Sequence, residues 1–540
     1  MNSGSSGTFH RKLNEFLDLK TLQKAGAINY SELPGDTVIS SLEYDSRNVK
    51  PGSVYFALPG LHADGHDFIP DAVNKGALVI IHERELPEYG VIPEKTVFIR
   101  VKNSRLAMSP IADSFYDHPS GKMGIIGVTG TEGKSTTVYF IYQLLKEILK
   151  PLGKKAGFIS TVMRGDGLAD HWNSEHQTTP EAPIIHRLLE EMRRNGAEYA
   201  VLESSSHGLS KKTNRLGDVE FDVGVVTTVT HEHLEFHGSW EQYRSDKAEL
   251  FRSLDASKQI KQGRAGDLSL PSFGVVNADD PSADYFTAAT GQKTYSFSTQ
   301  GAAADLSTRL IESSNDGNSY EVLISSTGKT LIFHDRLTGA FNAGNVLAAV
   351  LVVSALLSIE IESIIPLIPG LKPVRGRMTS VCRGQPFELL VDYAHTPSSF
   401  RTILPLLKSR LRCSAGRLIC VFGSAGERDT EKRKLQGEIA ALYSDIIILT
   451  DEDPRGEDPL TILEEIAQGC ETAKVRGEAL FLIPDRPKAL RKAISLARPG
   501  DLVLLLGKGH ENSIIYASGP VSYDEISEAE AALAEAGYSE

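Results

Sequence analysis

The segment Gly127-Val128-Thr129-Gly130-Thr131-Glu132-Gly133-Lys134-Ser135-Thr136 constrains the fold more than any other. It follows an apolar run, Met123 to Val128, that reads as a strand. After it, Val138, Ile141, Leu144, Leu145 and Ile148 recur on one face of a helix beginning near Lys134. A glycine-rich turn between strand and helix is where a phosphate cradle forms. Glycines let backbone N–H groups approach phosphate oxygens, and the helix start adds positive dipole character. Lys134 can reach β- and γ-phosphates, and Ser135 can ligate Mg²⁺. The spacing departs from G-x-x-x-x-G-K-[ST]: Val128 stands where the first glycine would fall, and the glycines lie at 127 and 130. The alternative is a glycine-rich βα turn that carries Gly-Lys-Ser by chance.

The rest of the chain repeats the strand–helix rhythm in three blocks. Up to about residue 120, strands are expected at Val54–Leu58, Ala77–Ile81 and Thr96–Arg100, closed by the turn His118-Pro119-Ser120-Gly121. The second block adds strands at Ala156–Ile159, Tyr199–Leu202 and Val223–Thr227, which implies a parallel α/β sheet. Its polar stretches 255–272 and 298–330 read as loops or edge-strand insertions, and it ends near Pro369-Gly370. From about 373, strands are expected at Leu418–Phe422, Ile446–Leu449, Ala479–Ile483 and Leu502–Leu506. At 540 residues and about 150 per domain, three to four domains are expected.

Composition excludes some functions. The net charge of −13 disfavours nonspecific nucleic-acid binding. The four cysteines, Cys382, Cys413, Cys420 and Cys470, have no C-x-x-C spacing, so neither zinc nor a disulfide framework is expected and a reducing cytoplasm fits. The apolar run Val346–Leu357 is too short to span a bilayer and reads as a buried helix. Met1 to Gly7 has no apolar core of the kind a signal peptide needs.

Glu203 follows a strand, at the carboxyl end where open α/β sheets hold ligands, and could hold Mg²⁺. Taken singly, such a residue is more often a solvated loop residue. His233 and Lys247 read singly as a structural histidine and an exposed lysine.

Together these pieces resemble the Mur ligase family. Gly130 to Thr136 resembles its phosphate loop, Glu203-Ser204-Ser205-Ser206-His207-Gly208 its serine-rich magnesium segment, and His231-Glu232-His233-Leu234-Glu235-Phe236-His237-Gly238 its DHLDYHG segment. Asn342-Ala343-Gly344-Asn345 is similar to its adenine-side NxxN, and Asp392-Tyr393-Ala394-His395-Thr396-Pro397 to its DYAHTP. Asp45-Ser46-Arg47, His62-Ala63-Asp64-Gly65, Gln177-Thr178-Thr179, Glu427-Arg428-Asp429, Asp453-Pro454-Arg455 and Gly507-Lys508-Gly509-His510-Glu511 resemble the members that add the third residue to UDP-N-acetylmuramoyl-L-alanyl-D-glutamate.

The resemblance implies an α/β fold of three domains. These are a small mixed α/β UDP-substrate domain over 1–120, a central P-loop parallel-sheet ATPase domain over 121–372, and a Rossmann-like amino-acid domain over 373–540. It implies that Tyr44, Ser46, Leu61, His62 and Ala63 hold the uridine diphosphate end, and that Gln177, Thr178, Thr179, Ser206 and Arg215 hold the muramoyl-dipeptide. Val128 to Thr136 would hold the ATP phosphates, and Asn277 and Asn345 the adenosine. Ser135, Glu203 and His233 would place Mg²⁺, joined by Lys247 as its carbamate, N6-carboxylysine; Lys134, Glu203, His233 and Lys247 would form the catalytic set. Arg428, Glu452, Asp453, Pro454, Arg455, Gly507 and Glu511 would receive the amino acid. Four features depart from the family pattern: Glu132 replaces Asn, Glu232 replaces Asp, Gln177 replaces Asn, and two extra residues separate Leu209 from Arg215.

The implied reaction activates a D-glutamyl carboxylate with the γ-phosphate of ATP, after which an amine attacks. Arg455 suits the distal carboxylate of meso-diaminopimelate, while Asp453 could instead neutralise Arg455 or bind the ammonium of L-lysine or L-ornithine. A cytoplasmic monomer acting on small molecules, with no nucleic acid or membrane partner, is expected. A folylpolyglutamate-synthase-like ligase is the alternative within the fold, but it would not need the uridine site. A nucleotide switch is the alternative outside it, but Asn277-Ala278-Asp279-Asp280 lacks the lysine of NKxD.

Overall fold

The strand Gly124–Thr129 is buried along its whole length and lies between two parallel neighbours. Ala197–Glu203 pairs on one side, with Glu203 opposite Val128; Val223–Val226 pairs on the other, with Val226 opposite Thr129. Apolar residues on both faces of these strands suit a sheet covered on both sides. Lys155–Ile159, Phe273–Asn277 and Lys293–Ser298 widen the parallel sheet. The computed structural model describes residues 9–30, 35–60, 63–85, 96–173, 177–230, 234–263, 266–314, 317–411 and 415–539.

By its internal contacts the chain forms two units. One comprises Met1–Arg309, Tyr320–Phe333 and Ala343–Ile368; the other comprises Leu310–Ser319, His334–Asn342 and Pro369–Glu540. The first unit holds two sheets. The smaller orders Ala27–Tyr30, Val97–Val101, Val79–His82, Ser53–Phe56 and Ser41–Glu43; only the first pairing is antiparallel. Between the two sheets the chain turns through Asp117 and His118, at φ of 62° and 52°. The polar stretches are edge structure. Ile260–Gly263 and Gly266–Ser269 form a hairpin, and Leu306–Ser314, Gly317–Ile324 and Lys329–Asp335 extend the large sheet.

Gly127 lies within the strand, where a Cβ would come 2.5 Å from the Leu250 side chain. Its small size admits the helix Trp240–Ser253 rather than a phosphate. That helix starts at Ser239, whose hydroxyl accepts from the Gln242 N–H at 3.1 Å. The apolar run expected to be buried is so: it lies in the helix Asn342–Leu357, and Val346 to Val353 are each at most 5% exposed. Among the described residues no single helix is long and apolar enough to cross a membrane.

The second unit is built on a six-stranded sheet: Thr379–Ser380, Glu388–Asp392, Leu502–Leu506, Leu418–Phe422, Ile446–Leu449 and Leu480–Leu482. All pairings after the first are parallel. Alternate strand residues divide between two cores. Leu390 and Cys420 face the helices Pro397–Leu411, Glu431–Tyr443 and Pro459–Cys470, whereas Leu389 and Ile419 face Arg486–Leu496 and Glu525–Glu535. Helices on both faces make this a doubly wound sheet.

Candidate active site

Gly133 precedes the helix Lys134–Leu149 at φ +81°, and no side chain caps the helix start. Its first N–H groups are therefore not taken by a cap and can serve an anion. Two close approaches shape the loop. A Cβ at Gly130 (φ +148°) would lie 2.0 Å from Thr227 Oγ1, and one at Gly133 would lie 2.7 Å from Asn345 Oδ1. Thr227 Oγ1 donates to the Glu132 carbonyl at 2.5 Å, and the Thr131 N–H donates to Thr228 O at 2.5 Å. Lys134 Nζ donates to the Thr131 carbonyl at 2.8 Å. Val128 and Thr129 are buried strand residues at the base of the loop. Glu132 is half-buried, so solvent screens part of its charge.

Glu203 is the last residue of its strand rather than the first of a loop, and is 3% exposed. Its Oε2 accepts from Ser135 Oγ at 2.9 Å and from the Thr161 N–H at 2.8 Å. A buried carboxylate is costly without a cation. Two hard oxygen donors beside a phosphate loop fit Mg²⁺, which takes one or two protein ligands and completes its shell with phosphate oxygens and water. Among the described residues no group of three or more His, Cys, Asp or Glu gathers. His233, Leu61 and His62 lie outside the described residues.

A cavity of about 290 Å³ opens beside the loop, lined by Gly130, Lys134, Gln177, Thr178, Ser205, Ser206, His207, Arg215, Tyr243 and Lys247. Lys247 is 2% exposed; its Nζ donates to the Gly130 carbonyl at 2.7 Å and lies 4.5 Å from the Tyr243 ring centroid. Thr179 Oγ1 accepts from the Ser205 N–H at 2.9 Å and donates to the Glu203 carbonyl at 3.0 Å, tying the threonine pair to the serine-rich segment. Arg215, on the far side of two extra residues, still reaches the site. Its guanidinium donates to Thr179 O at 2.8 Å and to Glu181 Oε1 at 3.0 Å.

Asn345 Oδ1 accepts from Thr137 Oγ1 at 3.1 Å, against the phosphate loop. Asn277 ends its strand, with its side-chain carbonyl accepting from the Asp279 N–H at 3.0 Å. In the smaller sheet, Glu43 pairs with Tyr55, so Tyr44 and Ser46 follow their strand at the same end of the sheet as Ala57 follows its own; Ala63 comes after residues outside the described ones. They do not line the cavity.

Sequence reasoning missed a buried relay. His237 Nδ1 is 2.7 Å from Asp246 Oδ2, and His237 Nε2 is 3.1 Å from Ser206 Oγ. Burial alone would raise Asp246, but the hydrogen bonds with His237 and Gln242 outweigh it and hold the carboxyl below its ordinary value. His237 stood inside a quoted motif, and Tyr243 precedes Lys247 by one helical turn, so both were within reach of the sequence.

In the second unit two of the expected amino-acid residues, Asp453 and Glu511, meet at Lys508, which had been assigned no role. Its Nζ, fully buried, donates to Asp453 Oδ1 at 2.8 Å and to Glu511 Oε2 at 2.5 Å. Asp453 Oδ1 also accepts from the Ile515 N–H, and Tyr393 OH donates to Glu511 Oε1 at 3.2 Å. A Cβ on Gly507 would lie 3.1 Å from Glu452 Oε2. Burial raises Glu452 above its ordinary value, and burial pushes Asp451 up to about 6 against the hydrogen bond with Tyr516. Burial also lowers His510 to about 3. The Gly426 N–H donates to Asp453 O at 2.8 Å, and a Cβ there would meet Pro454 O at 2.0 Å, so the two loops are in close contact. Arg433 holds them, donating to Ala425 O at 3.1 Å and to Glu457 at 2.9 Å. Arg428 is exposed at the loop tip, and Arg455 is half-buried, its Nε without a hydrogen-bond partner.

Comparison with known proteins finds matches along most of the chain. Three family models match: "Mur ligase family, catalytic domain" over 38–116, "Mur ligase middle domain" over 128–353, and "Mur ligase, glutamate ligase domain" over 376–509. The chain is 50% identical over 508 residues to the UDP-N-acetylmuramyl-tripeptide synthetase of Treponema denticola, covering 91% of this chain and 92% of that one. It is 35% identical over 502 residues to the UDP-N-acetylmuramoyl-L-alanyl-D-glutamate–2,6-diaminopimelate ligase of Geobacillus thermodenitrificans, covering 93% and 96%. A solved UDP-N-acetylmuramoyl-L-alanyl-D-glutamate–2,6-diaminopimelate ligase superposes with a TM-score of 0.61 at 26% identity, over 98% of this chain and 100% of that one. The MurF ligase of Thermotoga maritima, solved with ADP, shares the fold at a TM-score of 0.62 and 20% identity, over 92% and 98%.

Proposed function

The chain belongs to the Mur ligase family of ATP-dependent ligases, and from that membership we propose that it adds a diamino acid to UDP-N-acetylmuramoyl-L-alanyl-D-glutamate. The observation that carries this reading is the single cavity wall shared by the phosphate-loop lysine and the dipeptide candidates, Lys134 with Thr178, Ser206 and Arg215. Two anions must meet there, a carboxylate and a triphosphate. Lys134 and Arg215 supply fixed positive charge, and positioning plus charge stabilisation accounts for most of the catalysis. The D-glutamyl carboxylate attacks the γ-phosphorus, ADP leaves, and the diamino acid's amine displaces phosphate from the acyl phosphate with loss of a proton.

Ser135 and Glu203 would hold Mg²⁺, with His233 and a carbamylated Lys247 completing the set. When bound, the ion neutralises charge on the β- and γ-phosphates. Carbamylation would turn the buried cation beside Gly130 into an anion that orients it. Asn277 and Asn345 would hold adenosine, and Tyr44, Ser46, Leu61, His62, Ala63 and Gln177 the rest of the nucleotide-peptide. The protein would act as a cytoplasmic monomer, because one chain carries every group named.

The third residue would be meso-diaminopimelate. Lys508 already engages Asp453, which leaves Arg455 free to fork onto a distal carboxylate. Lysine would leave that guanidinium unpaired, a loss on the order of 10⁴ in discrimination. The test incubates the protein with Mg²⁺–ATP, the nucleotide-peptide and one of meso-diaminopimelate, L-lysine or L-ornithine, and weighs the product. A diaminopimelate-bearing tripeptide is expected. A product formed faster with lysine or ornithine would overturn the choice and assign the amine to the acidic residues Glu452, Asp453 and Glu511.

A further inference from the structure

The relay behind the cavity has a direction. His237 is fully buried and lies between the carboxylate of Asp246 and the hydroxyl of Ser206, at 2.7 and 3.1 Å. Gln242 Nε2 donates to the other Asp246 oxygen at 2.9 Å, which fixes the carboxylate. The rings of His207 and Tyr243 pack on the imidazole at 5.2 and 5.1 Å between centroids, so it has little room to flip. Asp246 accepts the Nδ1 proton, so in the neutral ring Nε2 carries none and accepts from the Ser206 hydroxyl. Ser206, which lines the cavity, then keeps its Oγ lone pairs for another donor.

We propose that His237 and Asp246 are positioning residues that make Ser206 a hydrogen-bond acceptor for a peptide N–H of the nucleotide-peptide, rather than a donor to its carboxylates. This rests on the reading of the cavity as the muramoyl-dipeptide site. The division of labour is consistent, since Arg215 and Lys134 line the same cavity and are the natural partners of carboxylates. A residue that contacts nothing in the substrate thereby sets what its neighbour can bind.

The test compares Ser206→Ala, His237→Gln, Asp246→Asn and the double variant Ser206→Ala/His237→Gln by steady-state kinetics. Each single change should raise KM for the nucleotide-peptide about tenfold and move KM for ATP less than twofold. If His237 acts through Ser206, adding His237→Gln to Ser206→Ala should cost less than twofold more. A full additional factor in the double variant, or an equal rise in KM for ATP, would overturn the relay. Ser206→Ala with an unchanged KM for the nucleotide-peptide would instead overturn the reading of the cavity. The wild-type protein gives an independent check. With ¹⁵N-histidine, the resonance displaced by Ser206→Ala should show the Nδ1–H tautomer, and an Nε2–H tautomer would refute the assignment.

Discussion

Replacing Gly133 by alanine tests whether the loop works as a preformed cradle. Its φ of +81° lies in the left-handed region, and the new methyl would lie 2.7 Å from Asn345 Oδ1. The backbone term costs about 1–2 kcal/mol. Moving Asn345 breaks its 3.1 Å hydrogen bond with Thr137, which adds about 1 kcal/mol. Without nucleotide the loop relaxes, and ATP binding must restore its shape. A sum of about 2–3 kcal/mol therefore weakens ATP binding by roughly 30- to 150-fold. Gly153→Ala is the control, because Gly153 also has positive φ, at +66°, but a Cβ there meets nothing within 4 Å. It should lower the melting temperature and leave ATP affinity alone. Titration calorimetry with a nonhydrolysable ATP analogue reads both. A folded Gly133→Ala variant that binds within twofold of wild type, or a Gly153→Ala variant equally impaired, would refute the reasoning.

Three further outcomes follow from the geometry. Ser135→Ala removes one oxygen donor and leaves Glu203 only its Thr161 partner of the two, so the Mg²⁺ concentration for half-maximal activity should rise about 10-fold or more; an unchanged Mg²⁺ dependence would remove Ser135 from the ion's shell. Lys247→Ala should be nearly inactive and be rescued by short carboxylates but not by bicarbonate, whereas rescue by short amines would mean that the free lysine is the working form. The Asp451 carboxyl, raised by burial to about 6, binds its proton more tightly in the folded state. Its contribution to stability is present below about pH 4 and is lost as pH rises through about 6. Asp451→Asn should therefore gain stability relative to wild type between those values, read as denaturation midpoints at pH 4 and pH 7, and a constant difference would contradict the shift.

The phosphate loop was legible because strand, glycines and helix must follow in sequence order for a cradle to form. The parallel strands Leu418–Phe422, Ile446–Leu449 and Leu502–Leu506 were legible because strands covered on both faces are continuously apolar. The edge strands within 306–335 were legible only as loops or edge-strand insertions, since one exposed face lets polar residues alternate with the buried ones. Gly127 looked like part of the cradle but packs against Leu250; a glycine signals close approach without saying to what. The Ser206–His237 and Lys508–Asp453 contacts join residues 31 and 55 positions apart, and no spacing rule reports such pairs. Arg215 shows the reverse. Its position is offset from the family pattern, yet its guanidinium reaches Thr179.

The central claim is that one cavity brings ATP and the nucleotide-peptide together, and phosphate release tests it most directly. The purified protein is given Mg²⁺–ATP with UDP-N-acetylmuramoyl-L-alanyl-D-glutamate, with a diamino acid, with both, or with neither. Release that requires both co-substrates is the expected result. Release that is indifferent to the nucleotide-peptide would contradict the account and leave a phosphate-loop ATPase whose cavity serves some other acceptor.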